Sequence, residues 1–157
     1  MTPTPRAATA VVTRALPVAA DVAWRVLTDT RRHAAWIPMT RILTDGPPRL
    51  GCRIVAVSGP GARQGLPGLV DRMVMTRYVP PGEHAGEAEY TKLGPVLRGS
   101  STIVVLPTSP TSCRVTWSEH VPLAGPLPEA WTARLTAGPL RVMLRLALRR
   151  ATADLAS

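Results

Sequence analysis

The sequence contains no phenylalanine and no asparagine, one lysine and two cysteines. Cys52 and Cys113 form no metal-ligand spacing, and Cys113 falls on the apolar face of a predicted strand. Both are therefore read as buried reduced thiols rather than as a disulfide or a catalytic cysteine. No run reaches the roughly 18 apolar residues that a membrane-spanning helix needs. The opening MTPTPRAATA lacks the apolar stretch of a secretory signal, so residues 1–8 are expected to be a flexible arm on a cytoplasmic protein. The three histidines, His33, His84 and His120, show none of the paired short spacings of zinc sites. GPGARQG at residues 59–65 lacks the lysine and the following helix of a phosphate loop. No metal and no cofactor are expected.

A net charge of +9 over 157 residues invites a nucleic-acid partner, but two features argue against one. Of the 19 basic side chains all but one are arginine, and with abundant alanine and proline this is the bias that GC-rich coding produces. The aromatics are four tryptophans and two tyrosines, none interleaved with the arginines, so no platform for stacking single strands exists. Lys92, the lone lysine, then becomes a candidate for chemistry that arginine cannot perform, because an ammonium can deprotonate and a guanidinium cannot. The alternative is a chance exposed lysine on a strand.

The clearest local pattern lies at residues 94–121, GPVLRGSSTIVVLPTSPTSCRVTWSEHV. Residues 101–106 are apolar and rich in β-branched types, residues 113–121 alternate, and the breakers at 107–112 separate them, predicting an antiparallel hairpin. The period of two puts Cys113, Val115, Trp117, Glu119 and Val121 on one face. A carboxylate on that face needs either the wet end of the sheet or a partner in a cavity, because an unpaired buried charge is too costly.

Upstream, residues 9–16 predict a first strand, residues 19–28 a helix, and residues 30–36 a second short helix capped by Asp29. Strands follow at 41–44, 52–58, 69–79 and 84–93, with a mobile loop or flap at 59–68. In the 69–79 strand, Leu69, Asp71, Met73, Met75 and Arg77 share one face and Tyr78 lies on the other; in the next, Ala88, Tyr90 and Lys92 oppose Glu87, Glu89 and Thr91. Residues 127–155 form a C-terminal helix with a break near Gly138-Pro139. Its apolar stripe is Leu140, Leu144, Ala147, Leu148, Ala151 and Leu155, its basic stripe is Arg141, Arg145 and Arg149, and Asp154 is placed to pair with Arg150. The whole chain reads as one domain.

Strand, two short helices, six strands and a long helix is an order in which a curved antiparallel sheet can wrap the last helix. The residues resemble the START-like polyketide cyclase/dehydrase (SRPBCC) superfamily. The resemblance runs from Val11 to about Ala151 and rests on AWRVLTD at 23–29, His33, Trp36 and Pro38 as H-x-x-W-x-P, and Gly51 opening the third strand. It continues through VDRM at 70–73, KLGPVLRG at 92–99 and WSE at 117–119. It implies the α+β helix-grip fold: a curved seven-stranded antiparallel sheet around a long C-terminal helix, with two short helices after the first strand. It also implies a hydrophobic cavity between sheet and helix, used by different members for lipids, hormones or polyketides, and in some for cyclisation, aromatisation or dehydration.

Trp36, Met73, Met75, Tyr90, Trp117, Met143 and Leu144 are the candidates to line such a cavity, or else they simply fill a core. The polar candidates are Glu119, Lys92, Tyr90, Asp71 and His33. Cyclisation needs a base to remove a proton beside a carbonyl and an acid for the new alkoxide, which singles out Glu119 with Lys92, and Tyr90, as catalytic candidates. The competing structural reading salt-bridges Glu119 or Asp71 to Arg72 or Arg14 and makes His33 a satisfied helix residue. The expected partner is an apolar small molecule, bound with or without catalysis. A transient contact of the arginine stripe with an anionic membrane surface or nucleic acid is a third reading, and monomer and homodimer stay open.

Overall fold

The computed structural model describes residues 9–157; the arm expected at 1–8 lies outside the described residues. The chain runs β1 (Ala10–Leu16), α1 (Ala20–Thr28), a 3-10 turn (Thr30–Arg32), α2 (His33–Trp36), β2 (Thr40–Thr44), β3 (Arg53–Ser58), β4 (Leu69–Val79), β5 (Gly86–Lys92), β6 (Ser100–Ser109), β7 (Ser112–His120) and α3 (Glu129–Ala156). The strands form one curled antiparallel sheet in the order β1-β7-β6-β5-β4-β3-β2. This is the helix-grip architecture that the family resemblance implies.

The expected alternation holds where burial is one-sided. On β7, Cys113, Val115, Trp117 and Glu119 are buried, and on β5 Ala88, Tyr90 and Lys92 are buried. Two details differ from expectation. A bulge between Met75 and Arg77 in β4 inserts one residue, so Arg77 turns outward to Glu87 at 3.0 Å and Tyr78 turns inward, its ring 5.2 Å from that of Trp24. The β6–β7 loop is also shorter than the breakers at 107–112 suggest. Pro107 sits inside β6, where the register shifts, and hydroxyl bonds from Thr108 and Ser109 to Ser112, at 2.8 and 2.7 Å, close the turn.

The loop at 59–68 is docked rather than a free flap. It holds a short 3-10 turn, Ala62–Gln64, between Gly61 and Gly65, both at positive φ, and Arg63 donates to the carbonyls of Ala34 and Ile37. Helix α3 is continuous through Gly138-Pro139, so the expected break does not occur; a proline removes a single ladder hydrogen bond, and the turns on either side carry the helix across it. The buried stripe Leu144, Ala147, Leu148 and Ala151 packs the closed end of the fold against β1, α1 and α2. Asp154 and Arg150 do not pair with each other. Both go to Trp36, whose indole donates to Asp154 at 2.6 Å and whose carbonyl accepts from Arg150 at 3.1 Å.

Gly99 precedes β6 at a φ of 93°, and a Cβ added there would collide with the His120 carbonyl. A side chain there meets both a disfavoured conformation and fixed backbone. Gly99→Ala is expected to cost about 3 kcal/mol or more in urea denaturation. Gly51→Ala also sits at positive φ but meets open space, so it should cost only the conformational part.

Candidate functional site: a cavity with a buried charge cluster

A cavity of about 570 Å³ lies between the sheet and the first half of α3. The helix serves two purposes along its length. Leu144 onward packs the core, whereas Leu135, Leu140 and Met143 wall the cavity. Ile42, Ile54, Ala56 and Met73 supply the facing sheet wall. Of the residues expected to line a ligand site, Met73, Tyr90, Trp117 and Met143 do line the cavity. Trp36, Met75 and Leu144 do not. Each is about 1 % exposed or less and sits in the packed core, because α2 turns its tryptophan toward α3 and the cavity ends short of these levels.

The polar candidates converge through strand register. Ser101 on β6 lies opposite Tyr90 on β5 and opposite Glu119 on β7, and Lys92 follows two residues beyond Tyr90 on the same inner face. Lys92 forms a salt bridge with Asp71 on β4, and its ammonium also approaches the Met73 sulfur at 3.7 Å. Neither Arg72 nor Arg14 pairs with Asp71 or Glu119 among the described residues, so the partner expected from local sequence is replaced by a lysine 21 positions away. The Ser101 hydroxyl accepts from the Trp117 indole at 3.1 Å and donates to Glu119 Oε1 at 3.3 Å.

One cation thus faces two carboxylates in a buried wall. Burial alone pushes the Lys92 ammonium toward neutrality, but Glu119 and Asp71 outweigh it and hold the group above its ordinary range. Burial pushes Glu119 upward; attraction to Lys92 opposes this, repulsion from Asp71 adds to it, and the result is a carboxyl that keeps its proton beyond the ordinary range. The electroneutral arrangement is Lys92 ammonium, Asp71 carboxylate and Glu119 carboxylic acid. Lys92 is accordingly a fixed charge, not a base.

Tyr90 offers the cavity its ring rather than its acid. Its hydroxyl is sealed and unpartnered, and burial, with Tyr78, Cys52 and Asp29 adding, pushes its ionisation strongly upward. The second Asp71 oxygen is sealed likewise. His33 gives the opposite case. Its Nε2 donates to the Leu27 carbonyl at 2.8 Å, its ring lies tilted 5.0 Å from that of Trp117 and 5.4 Å from that of Trp36, and burial holds it below the ordinary histidine range. It also lines the cavity, so this residue, weighed in the sequence as a polar candidate against a satisfied helix histidine, combines a satisfied Nε2 with a place in the cavity wall. No three His, Cys, Asp or Glu side chains converge as metal ligands among the described residues.

Residues 7–156 match the model of the family described as polyketide cyclase / dehydrase and lipid transport. The chain belongs to that family. Its fold recurs in a START superfamily protein from Mycobacterium smegmatis, at 15 % identity and a TM-score of 0.66, with 94 % of this chain and 98 % of that one covered. It recurs in a hypothetical protein from Helicobacter pylori at 9 % identity and a TM-score of 0.71, covering 98 % and 90 %. The Zhui aromatase/cyclase from Streptomyces sp. R1128 is similar at 16 % identity and a TM-score of 0.54, covering 94 % and 88 %. No curated protein matches the sequence. At these identities the neighbours share the fold of this polyketide cyclase / dehydrase and lipid transport family member, and its chemistry rests on the cavity itself.

Two outcomes follow from the charge cluster. Lys92→Met leaves Asp71 without its counter-ion and is expected to cost about 3–5 kcal/mol in chemical denaturation, largely restored by the double change with Asp71→Asn. For Glu119 the folded ionisation lies above the unfolded one, so the native state binds more protons across that interval and wild-type stability falls as pH rises through it. Denaturation curves of Glu119→Gln from pH 4 upward should lack this fall.

Proposed function

We propose that this protein binds a neutral, apolar or aromatic small molecule, lipid- or polyketide-like in character, in the cavity between the sheet and α3. The observation that carries the reading is a cavity of about 570 Å³ whose wall is mostly apolar and carries a buried polar band. Ligand sites run from about 300 to 1,000 Å³ and have this composition: mostly apolar, with a few polar groups to fix orientation. The band adds selectivity. With the Lys92 ammonium already matched by the Asp71 carboxylate and Glu119 held as the acid, an anionic head group would bring uncompensated charge into a dry site, so neutral ligands are favoured.

A second reading, a cyclase, aromatase or dehydratase acting in the same cavity, draws support from Glu119. Its Oε2 makes no hydrogen bond among the described residues, is not sealed, and belongs to a cavity-lining carboxyl biased toward its protonated form. Such a group can protonate a carbonyl oxygen. The printed name of the Streptomyces neighbour, aromatase/cyclase, is in keeping with that reading. The third reading, an anionic surface or nucleic acid on the Arg141, Arg145 and Arg149 face, gains no support from the family or its neighbours.

The test is uptake of the neutral dye N-phenyl-1-naphthylamine. Wild-type protein is expected to enhance its emission saturably. Ala56→Trp, which places an indole in the sheet wall, should weaken uptake at least tenfold while circular dichroism stays native. Equal uptake by both proteins would show that the dye sits elsewhere.

A further inference from the structure

We propose that His33 and Glu119 form an acid–base couple across the cavity, acting on a neutral ligand with an enolisable ketone. The proposal rests on the cavity reading above and adds its chemistry.

Three observations lead there. Because the Leu27 carbonyl can only accept, Nε2 of His33 carries the hydrogen and Nδ1 is left as an acceptor. Among the described residues Nδ1, like Glu119 Oε2, makes no hydrogen bond and is not sealed, and both residues line the cavity. The two flank one indole: the His33 ring lies 5.0 Å from that of Trp117, while Glu119 projects from the same strand face two residues further on, about 7 Å along β7. Of the other titratable groups in the wall, Lys92 is paired with Asp71, and the second Asp71 oxygen and the Tyr90 hydroxyl are sealed from the cavity; the Ser101 hydroxyl is held between Trp117 and Glu119. Burial holds His33 neutral as pH falls toward the ordinary histidine range, and holds Glu119 protonated above the ordinary glutamate range, so the two protonation states that the step needs coexist. Asp29 is the nearby charge acting on His33, and Lys92 and Asp71 are those acting on Glu119.

In the step, Nδ1 removes a proton from the carbon beside the ketone. The C–H pair becomes the C=C bond, the carbonyl π pair moves onto oxygen, and that oxygen takes the proton from Glu119 Oε2. The products are an enol, an imidazolium and a carboxylate. Reversal after proton exchange with solvent restores all three partners and leaves a solvent hydrogen on the carbon. No oxidant or reductant is required.

The experiment follows α-hydrogen exchange of 1-tetralone in deuterated buffer by NMR, with binding monitored separately by tryptophan emission. Wild-type protein is expected to accelerate exchange over buffer. Glu119→Gln, and His33→Gln with its retained N–H donor toward Leu27, should each lose at least tenfold of that acceleration while still binding tetralone. Tetralone bound without accelerated exchange, or exchange unchanged in both variants, overturns the couple and leaves the cavity reading standing. Failure to bind tetralone by a protein that still takes up the neutral dye overturns the ligand class. Failure to bind either overturns the cavity reading as well.

Discussion

Placing one lysine and two carboxylates inside an apolar wall constrains the rest of this structure. Such a group is stable only if its charges match, since an uncompensated buried charge costs several kcal/mol. The sheet meets the requirement by register. Four neighbouring strands, β4 to β7, contribute Asp71, Lys92, Ser101 and Glu119, and the Trp117 indole completes the chain of hydrogen bonds. A shift of one residue in any of these strands would turn its polar group to the outer face and strand its partners. The cluster thereby makes the cavity wall specific in register as well as in charge.

The cavity exists because α3 does not pack along its full length. Its second half is held by the core and by the double contact of Trp36 with Arg150 and Asp154, which anchors α2 to the last turns of the helix. Its first half is left to form a wall, with Leu135 exposed and Leu140 and Met143 half-buried. The closed end of the fold therefore provides the rigidity and the open end the space. His33 sits where the two meet, with a core tryptophan ring on one side and a wall tryptophan ring on the other.

The strand order, the long helix and the inner faces of β5 and β7 were legible because each strand is buried on one side, so its alternation is strict. Tyr78 was misplaced because a bulge leaves no mark in local composition, and the hairpin loop was overdrawn because a proline near a strand end can also sit within the ladder beside a register shift. Lys92, Glu119 and Asp71 stood out as chemistry-bearing residues, yet their pairing did not, since it depends on which strands neighbour one another. Trp36, Met75 and Leu144 illustrate the same gap from the other side. Their inward orientation follows from periodicity, but whether an inward residue meets a cavity or a packed neighbour depends on where the helix lifts from the sheet. His33 stood among the polar candidates, but its setting was not legible: its hydrogen-bond partner, the Leu27 carbonyl, is local, whereas the Trp117 ring beside it comes from a distant strand.

The most direct test of the central claim, that a neutral molecule is held beside the buried charge cluster, is native mass spectrometry of freshly purified protein, repeated after denaturation. The account predicts an added mass of a few hundred daltons, lost on denaturation, belonging to an uncharged apolar or aromatic compound. A retained fatty-acid anion or other acidic compound would contradict the charge argument. A bare protein that also takes up no neutral apolar compound added at saturating concentration would contradict the cavity itself.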